Sequence, residues 1–428
     1  MLTKPWVILV FAAVTLSARG QVRLPAVPLP TLPLQSSPLQ SGLQTLDPAD
    51  ARTLERLSGA RRLAIGRLIR ANGRVVEADP DGEPTVRGEI LALSPSAAAI
   101  SHAVSIGFLV AREQTIAAAE LRVMVLTAPR GMSTKRALED LRKSDANGVY
   151  DYNHIYTGAD GALRDDSGGS RSAPIAAPPT PTAGPATLER ARIRIGLLDA
   201  GIDTSHPIFH DSTLHTWGCP DKPTPSQHGT AVASLLLSHA SAELYAADVY
   251  CGLPTGGAVD AIVAAFAWLT SERVPVINVS LVGPKNALLE HTVTALVARG
   301  YLIVAAVGND GPTAPPLYPA AYPHVVGVTG VDANRRVLLE ALRGPQVMFA
   351  AAGAGIKAAN AEHGFADVRG TSFAAPTVAE LLAEGVAAPD KQAADAAVET
   401  LAKQAIDLGP PGRDFTYGFG LVGAAPAR

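Results

Sequence analysis

The run VPVINVSL at residues 274–281 decides the fold. A strand with one wet face alternates apolar and polar side chains. This run scarcely alternates and is rich in β-branched residues, as a strand buried on both faces of a parallel sheet would be. Four more runs share its texture: IRIGLLDA (193–200), AELYAADVY (242–250), YLIVAAVG (301–308) and HVVGVTGV (324–331). Helical patterns separate them, which predicts an α/β fold, a parallel sheet with helices on both faces. Sites in such sheets gather at the carboxyl ends of the strands, and Asp199 and Asn309 fall where two of the runs stop.

Three short stretches carry reactive groups: LLDAGID around Asp199, SQHGTAVAS around His228 and RGTSFAAP around Ser372. A serine hydroxyl is a poor nucleophile at neutral pH. A histidine within hydrogen-bond reach can take its proton, and a buried carboxylate can fix that histidine's tautomer. Taken singly each residue has a plainer reading. Asp before Gly is a turn, His before Gly-Thr caps a helix, and Ser before a Pro-containing first turn is an N-cap. Their conjunction reverses those readings. The nucleophile elbow of lipase-type hydrolases is excluded, because it needs glycine two residues after the serine and Ala374 stands there.

Six stretches in order, LLDAGIDTSHPIF, QHGTAVA, VINVSLVGP, VAAVGNDGP, GTSFAAPTVA and DLGPPGRDFTYGFGLV, make about residues 190–425 resemble the secreted bacterial subtilisin-like serine proteases. The resemblance implies a subtilisin-like fold and an Asp199–His228–Ser372 catalytic triad. It gives Asn309 and the Ser372 backbone N–H as the oxyanion hole, and Ser280, Leu281, Val282 and Gly283 as the strand that binds protein or peptide substrate. Leu317, within NDGPTAPPLYP, would shorten the pocket for the residue before the cut and favour small or medium apolar side chains. Asn309 separates the chain from sedolisin relatives, which use an acidic oxyanion partner and a glutamate in place of His228. Ala231, Ser234 and Ala352 depart from the family's usual residues without touching the triad. The interval after His228 lacks room for the loop that carries a principal calcium site in many relatives. No cofactor or metal is therefore expected beyond weak structural calcium. Two other functions fit the same residues: a catalytically silent peptide binder, and a transpeptidase that captures the acyl-enzyme with an amine.

The chain has 428 residues, nearly half of them apolar, and a formal charge of −3, so nucleic-acid binding has little electrostatic support. Residues 1–20 resemble an export signal: Lys4 precedes a short apolar run from Trp6 to Leu16 and the small residues around Ala18 and Gly20. That run is too short for a stable membrane span. A periplasmic or extracellular monomer is expected. Residues 21–73 comprise a Pro-rich leader and a basic amphipathic helix whose arginines are expected to form a solvated face. Residues 74–156 alternate strand and helix signals, an α+β unit. The resemblance makes it a propeptide that inhibits the enzyme it precedes and is then cut away, a permanent accessory domain being the alternative. Residues 157–189, with APPTPTAGP, form a linker, and 190–428 the catalytic domain.

Cys219 and Cys251 are the only cysteines. Export permits a disulfide between them, which would close a loop around His228 and contribute about 3 kcal/mol; two buried thiols are the alternative. His206, His210 and His215 lack the companion ligands of a convincing zinc motif.

Overall fold

The computed structural model describes residues 48–158, 193–219, 224–238 and 242–423, with side chains from 59 onward. The export signal, the Pro-rich leader and nearly all of the linker lie outside the described residues. Helix α1 (Pro48–Ala71) leads into strands β1 (Val76–Ala78), β2 (Pro84–Leu93), β3 (Leu109–Ile116), β4 (Leu121–Thr127) and β5 (Val149–Gly158), with helices α2 (Ala97–Ser105) and α3 (Thr134–Ser144) between them. Ser96 and Ser133 cap the two helices through their side-chain oxygens, each satisfying a first-turn N–H. β5 continues two residues past Tyr156.

These strands form an antiparallel sheet in the order β5–β2–β4–β3. Successive side chains point to opposite faces, so GEILALS and LRVMVLT divide cleanly. Ile90, Ala92, Met124 and Leu126 pack with Leu138 and Leu141 of α3 and with Phe108. Leu91, Leu93, Val123 and Val125 face the other way and join the core of the C-terminal domain. Two apolar faces require two partners, and the second is the large domain.

That domain contains β6 (Ile193–Asp199), β7 (Thr213–Trp217), α4 (Gln227–Leu236), β8 (Ala242–Asp248), β9 (Gly257–Ala258) and α5 (Val259–Ser271). There follow β10 (Val276–Val279), β11 (Leu281–Val282), α6 (Ala287–Ala298), β12 (Leu302–Ala306), β13 (Val326–Val331) and β14 (Val347–Ala352). The hairpin β15 (Ala354–Ala359) and β16 (Phe365–Arg369) precedes α7 (Thr371–Ala383) and α8 (Lys391–Gln404). Seven parallel strands are ordered β14–β13–β12–β10–β6–β8–β7. α4 packs with α7 and α5 with α6, and the two helix groups clothe the sheet. The fold class read from the sequence is the one observed.

The chain leaves β6 toward β8 and β7, then returns to build β10, β12, β13 and β14 on the other side. The order therefore switches between β6 and β10, and a crevice opens at their carboxyl ends. Asp199 ends β6, Ser280 follows β10 and Asn309 follows β12.

The basic helix departs from expectation at one arginine. Ala64, Ile65 and Leu68 form the buried face of α1, while Leu63 is exposed. Arg61 is not solvated: its guanidinium pairs with Glu83 at 2.7 Å and lies 3.6 Å from Asp310 in the large domain. A buried carboxylate needs such a partner.

Candidate active site

Each reactive group sits where an element starts or stops. The Asp199 carboxylate, 1% exposed, accepts from its neighbour's backbone, Ala200 N–H, at 2.7 Å. His228 Nδ1 approaches the same oxygen at 2.8 Å. A carboxylate this deep would be costly without such partners. With the Nδ1 proton given to Asp199, Nε2 is the basic nitrogen of the neutral ring.

Ser226 caps α4, placing His228 in its first turn. A Cβ at Gly229 would strike the carbonyl oxygens of Ala200 and Gly201, so only glycine lets α4 begin hard against the end of β6. That approach brings the imidazole to Asp199. On its other side the ring lies 5.5 Å from that of Phe373, the residue after Ser372.

Ser372 is fully buried in the first turn of α7, and a helix N-terminus presents backbone N–H groups and a positive dipole end. Pro376, four residues on, has no N–H to give the Ser372 carbonyl. Ser280 Oγ–H donates to that carbonyl instead, at 3.1 Å, and itself accepts from Asn278 Nδ2 at 2.9 Å. Ser280 thus braces the turn that carries the serine. Ser280→Ala would leave a buried carbonyl unpaired and is expected to cost about 1–3 kcal/mol, read as a lower midpoint in thermal unfolding.

Asn309 Oδ1 accepts from Thr371 N–H at 3.2 Å, and Gly308 N–H donates to Thr371 Oγ1 at the same distance. These bonds tie the end of β12 to the start of α7 and fix the Asn309 amide with Nδ2 as its donor. Asn309→Ala is expected to lower kcat by about 10²–10³-fold with little change in KM, measured on a peptide substrate. Asp310, next in sequence, carries a carboxyl raised above its usual range by burial and by Glu83, with Arg61 opposing.

The expected substrate strand is covered. Leu281 and Val282 are buried because β5 lies on them antiparallel, with Leu281 opposite Gly158 and Val282 opposite Thr157. Across β5, β9 pairs Gly257 with Tyr156 and Ala258 with Ile155. One segment of the N-terminal domain thus lies as a middle strand between two edges of the large domain. Gly283 pairs with Tyr318 through two 3.0 Å backbone bonds, and Leu317 is buried against Gly308.

Side chains extend the grip. Asn286 caps α6 through Oδ1 and donates from Nδ2 to Tyr152 O and toward His154 Nδ1. Asp151 accepts from Ala287 N–H at 2.7 Å, and Asn153 Oδ1 from Asp260 N–H at 3.2 Å. Two helix N-termini of the large domain therefore receive acceptors from β5. Sequence reasoning missed Asn286, Asp151, Asn153 and the bracing role of Ser280. The proline four residues after Ser372 was the signal for the last.

Cys219 and Cys251 are joined, with Cα atoms 5.4 Å apart. The three histidines do not converge. His206 is buried, bonded to Ile208 N–H and Gly364 O; His215 stacks on Tyr245 and meets Glu243. Among the described residues, the one cluster with metal-ligating geometry is Cys219, Asp248 and Cys251, whose sulfurs the disulfide engages. No described helix is long and apolar enough to cross a membrane.

The sequence profile of the subtilase family matches residues 190–420. The chain belongs to the subtilase family. Subtilisin BL of Lederbergia lenta is 31% identical over 205 residues, 45% of this chain and 75% of that one. The minor extracellular protease Epr of Bacillus subtilis (strain 168) is 29% identical over 257 residues, 55% of this subtilase and 38% of Epr. The chain therefore spans well under half of Epr's length. The structure of fervidolysin from Fervidobacterium pennivorans, a keratinolytic enzyme related to subtilisin, superposes with a TM-score of 0.61 at 18% identity, over 82% of this chain and 63% of that one. That likeness is one of fold, and it extends beyond the part matched by the family profile.

Proposed function

We propose that this chain is an exported serine endopeptidase made as a zymogen, its N-terminal domain inhibiting it until cut away. His228 Nε2 takes the proton of Ser372 Oγ as that oxygen attacks the substrate carbonyl carbon. The resulting oxyanion is stabilised by Ser372 N–H and Asn309 Nδ2, and Asp199 stabilises the imidazolium. His228 then protonates the leaving amine, which departs and leaves an acyl-enzyme. Water, deprotonated by His228, attacks the ester, and the acid leaves as Ser372 recovers its proton. No cofactor enters these steps.

The observation that carries the reading is the 2.8 Å Asp199–His228 bond, on an imidazole set against the residue that follows Ser372. The zymogen reading is supported by β5, which occupies the edges an extended peptide would use. The test is a diisopropyl phosphorofluoridate reaction on processed protein, with denatured casein as substrate. The expected result is one phosphoryl adduct, mapped to Ser372, and parallel loss of casein cleavage. Absence of both would favour a silent peptide binder.

A further inference from the structure

Two of the chain's three tryptophans, Trp217 and Trp268, stand together far from the triad's helices, and both are half-buried. Trp217 ends β7, the last strand of the parallel sheet on that side, and Trp268 lies near the end of α5. Their rings are stacked, with centroids 6.0 Å apart and planes 13° apart. The row continues inward. Tyr245 lies 5.9 Å from Trp268, and the Arg194 guanidinium covers the Tyr245 ring at 4.7 Å. Beside the tryptophans opens a cavity of about 560 Å³, walled on one side by Gln114 and Thr115 of the N-terminal domain. An aromatic floor left open at a sheet edge marks a place of contact.

We propose that the Trp217–Trp268 pair is a docking platform for the chain's own linker and seats its proline stretch, APPTPTAGP at residues 177–185. Prolines hold a segment extended before it binds, so little entropy is lost on aromatic grooves that take P-x-x-P. Pro178 and Pro181 have that spacing. The rim favours such an apolar occupant over a sugar, because its polar groups are already engaged. The hydroxyls of Thr270 and Ser271 and the Gln114 amide donate to the carbonyls of Phe266, Trp268 and Thr115. Position favours the linker too. The linker ends where β6 begins at Ile193, and the next residue, Arg194, is the first member of the aromatic row. Pro185 lies eight residues before Ile193, and an extended segment of that length reaches about 25 Å, past the far end of the row. So short a tether gives an effective concentration of about millimolar. The Pro-rich leader, by contrast, is tethered through the whole N-terminal domain. This docking is separate from the proteolytic reading and does not depend on it.

Residues 21–428 contain no tryptophan besides this pair, so intrinsic fluorescence reads the platform alone. The test uses that chain with Ser372→Ala, which keeps the linker uncut. It is compared with the same chain carrying Pro178→Gly, Pro179→Gly, Pro181→Gly and Pro185→Gly. With the linker lifted off, each indole loses the cover of one face, and the acrylamide quenching constant should about double. Emission should move to the red. A peptide of residues 174–188, added at about millimolar concentration, should reverse both changes, as it would not in a misfolded variant. Quenching and emission unchanged by the four substitutions would overturn the assignment. So would a doubling seen only on removal of residues 21–47, which would make the leader the occupant.

Discussion

Ser372→Ala is expected to lower kcat by about 10⁶-fold, with the fold intact, because it removes the atom that forms the acyl bond. Structure and chemistry separate well here. Ser372 is buried at the head of α7, and alanine keeps both the helix and the Pro376 turn. The bond that braces this turn, from Ser280 to the Ser372 carbonyl, involves the backbone and survives the substitution. The stability of the catalytic domain itself should therefore be nearly unchanged while turnover disappears. Residual rate above that of water would come from the oxyanion donors and from substrate binding. Turnover within tenfold of wild type would mean that another residue is the nucleophile.

Asp199→Asn should cost about 10⁴-fold in kcat. The carboxylate oxygen that meets His228 also accepts Ala200 N–H, and an oxygen at that place keeps the ring proton on Nδ1. An amide in that place can turn its NH₂ toward Nδ1, which moves the ring proton to Nε2. The nitrogen facing the serine would then carry a proton when it should accept one. The imidazolium that forms during attack would also lose its counter-charge. The expected signature is a large fall in kcat, a small change in KM and retained folding, measured on one peptide substrate at neutral pH. A loss below tenfold would show that the carboxylate neither sets the tautomer nor stabilises the imidazolium.

Much of the fold was legible because its central strands are buried on both faces. VINV and LIVAA admit no amphipathic reading, and the glycine-flanked ends of neighbouring runs placed Asp199 and Asn309 on one edge. His228 and Ser372 were legible only in conjunction with Asp199, because each taken singly reads as a helix cap. What stayed hidden was relational. GEILALS announces a strand, but nothing in it says that Leu91 and Leu93 will meet another domain while Ile90 and Ala92 meet α3. Two-sided hydrophobicity in an antiparallel strand was the available clue. Arg61 looked like one more solvated charge because its partner, Asp310, is 249 positions away along the chain. Tyr156 looked like the last residue of a strand. Its burial depends on Gly283, whose value as empty space shows only once the strands are paired.

The central claim is that this subtilase holds its own chain in its cleft and cuts itself free. The most direct test is expression of residues 21–428 as wild type and as Ser372→Ala, followed by intact mass and N-terminal sequencing. The account predicts that wild type yields a mature fragment beginning between residues 159 and 190, while Ser372→Ala remains a single uncut chain. An uncut wild-type chain that also fails to cleave casein, or identical cutting in both forms, would contradict it.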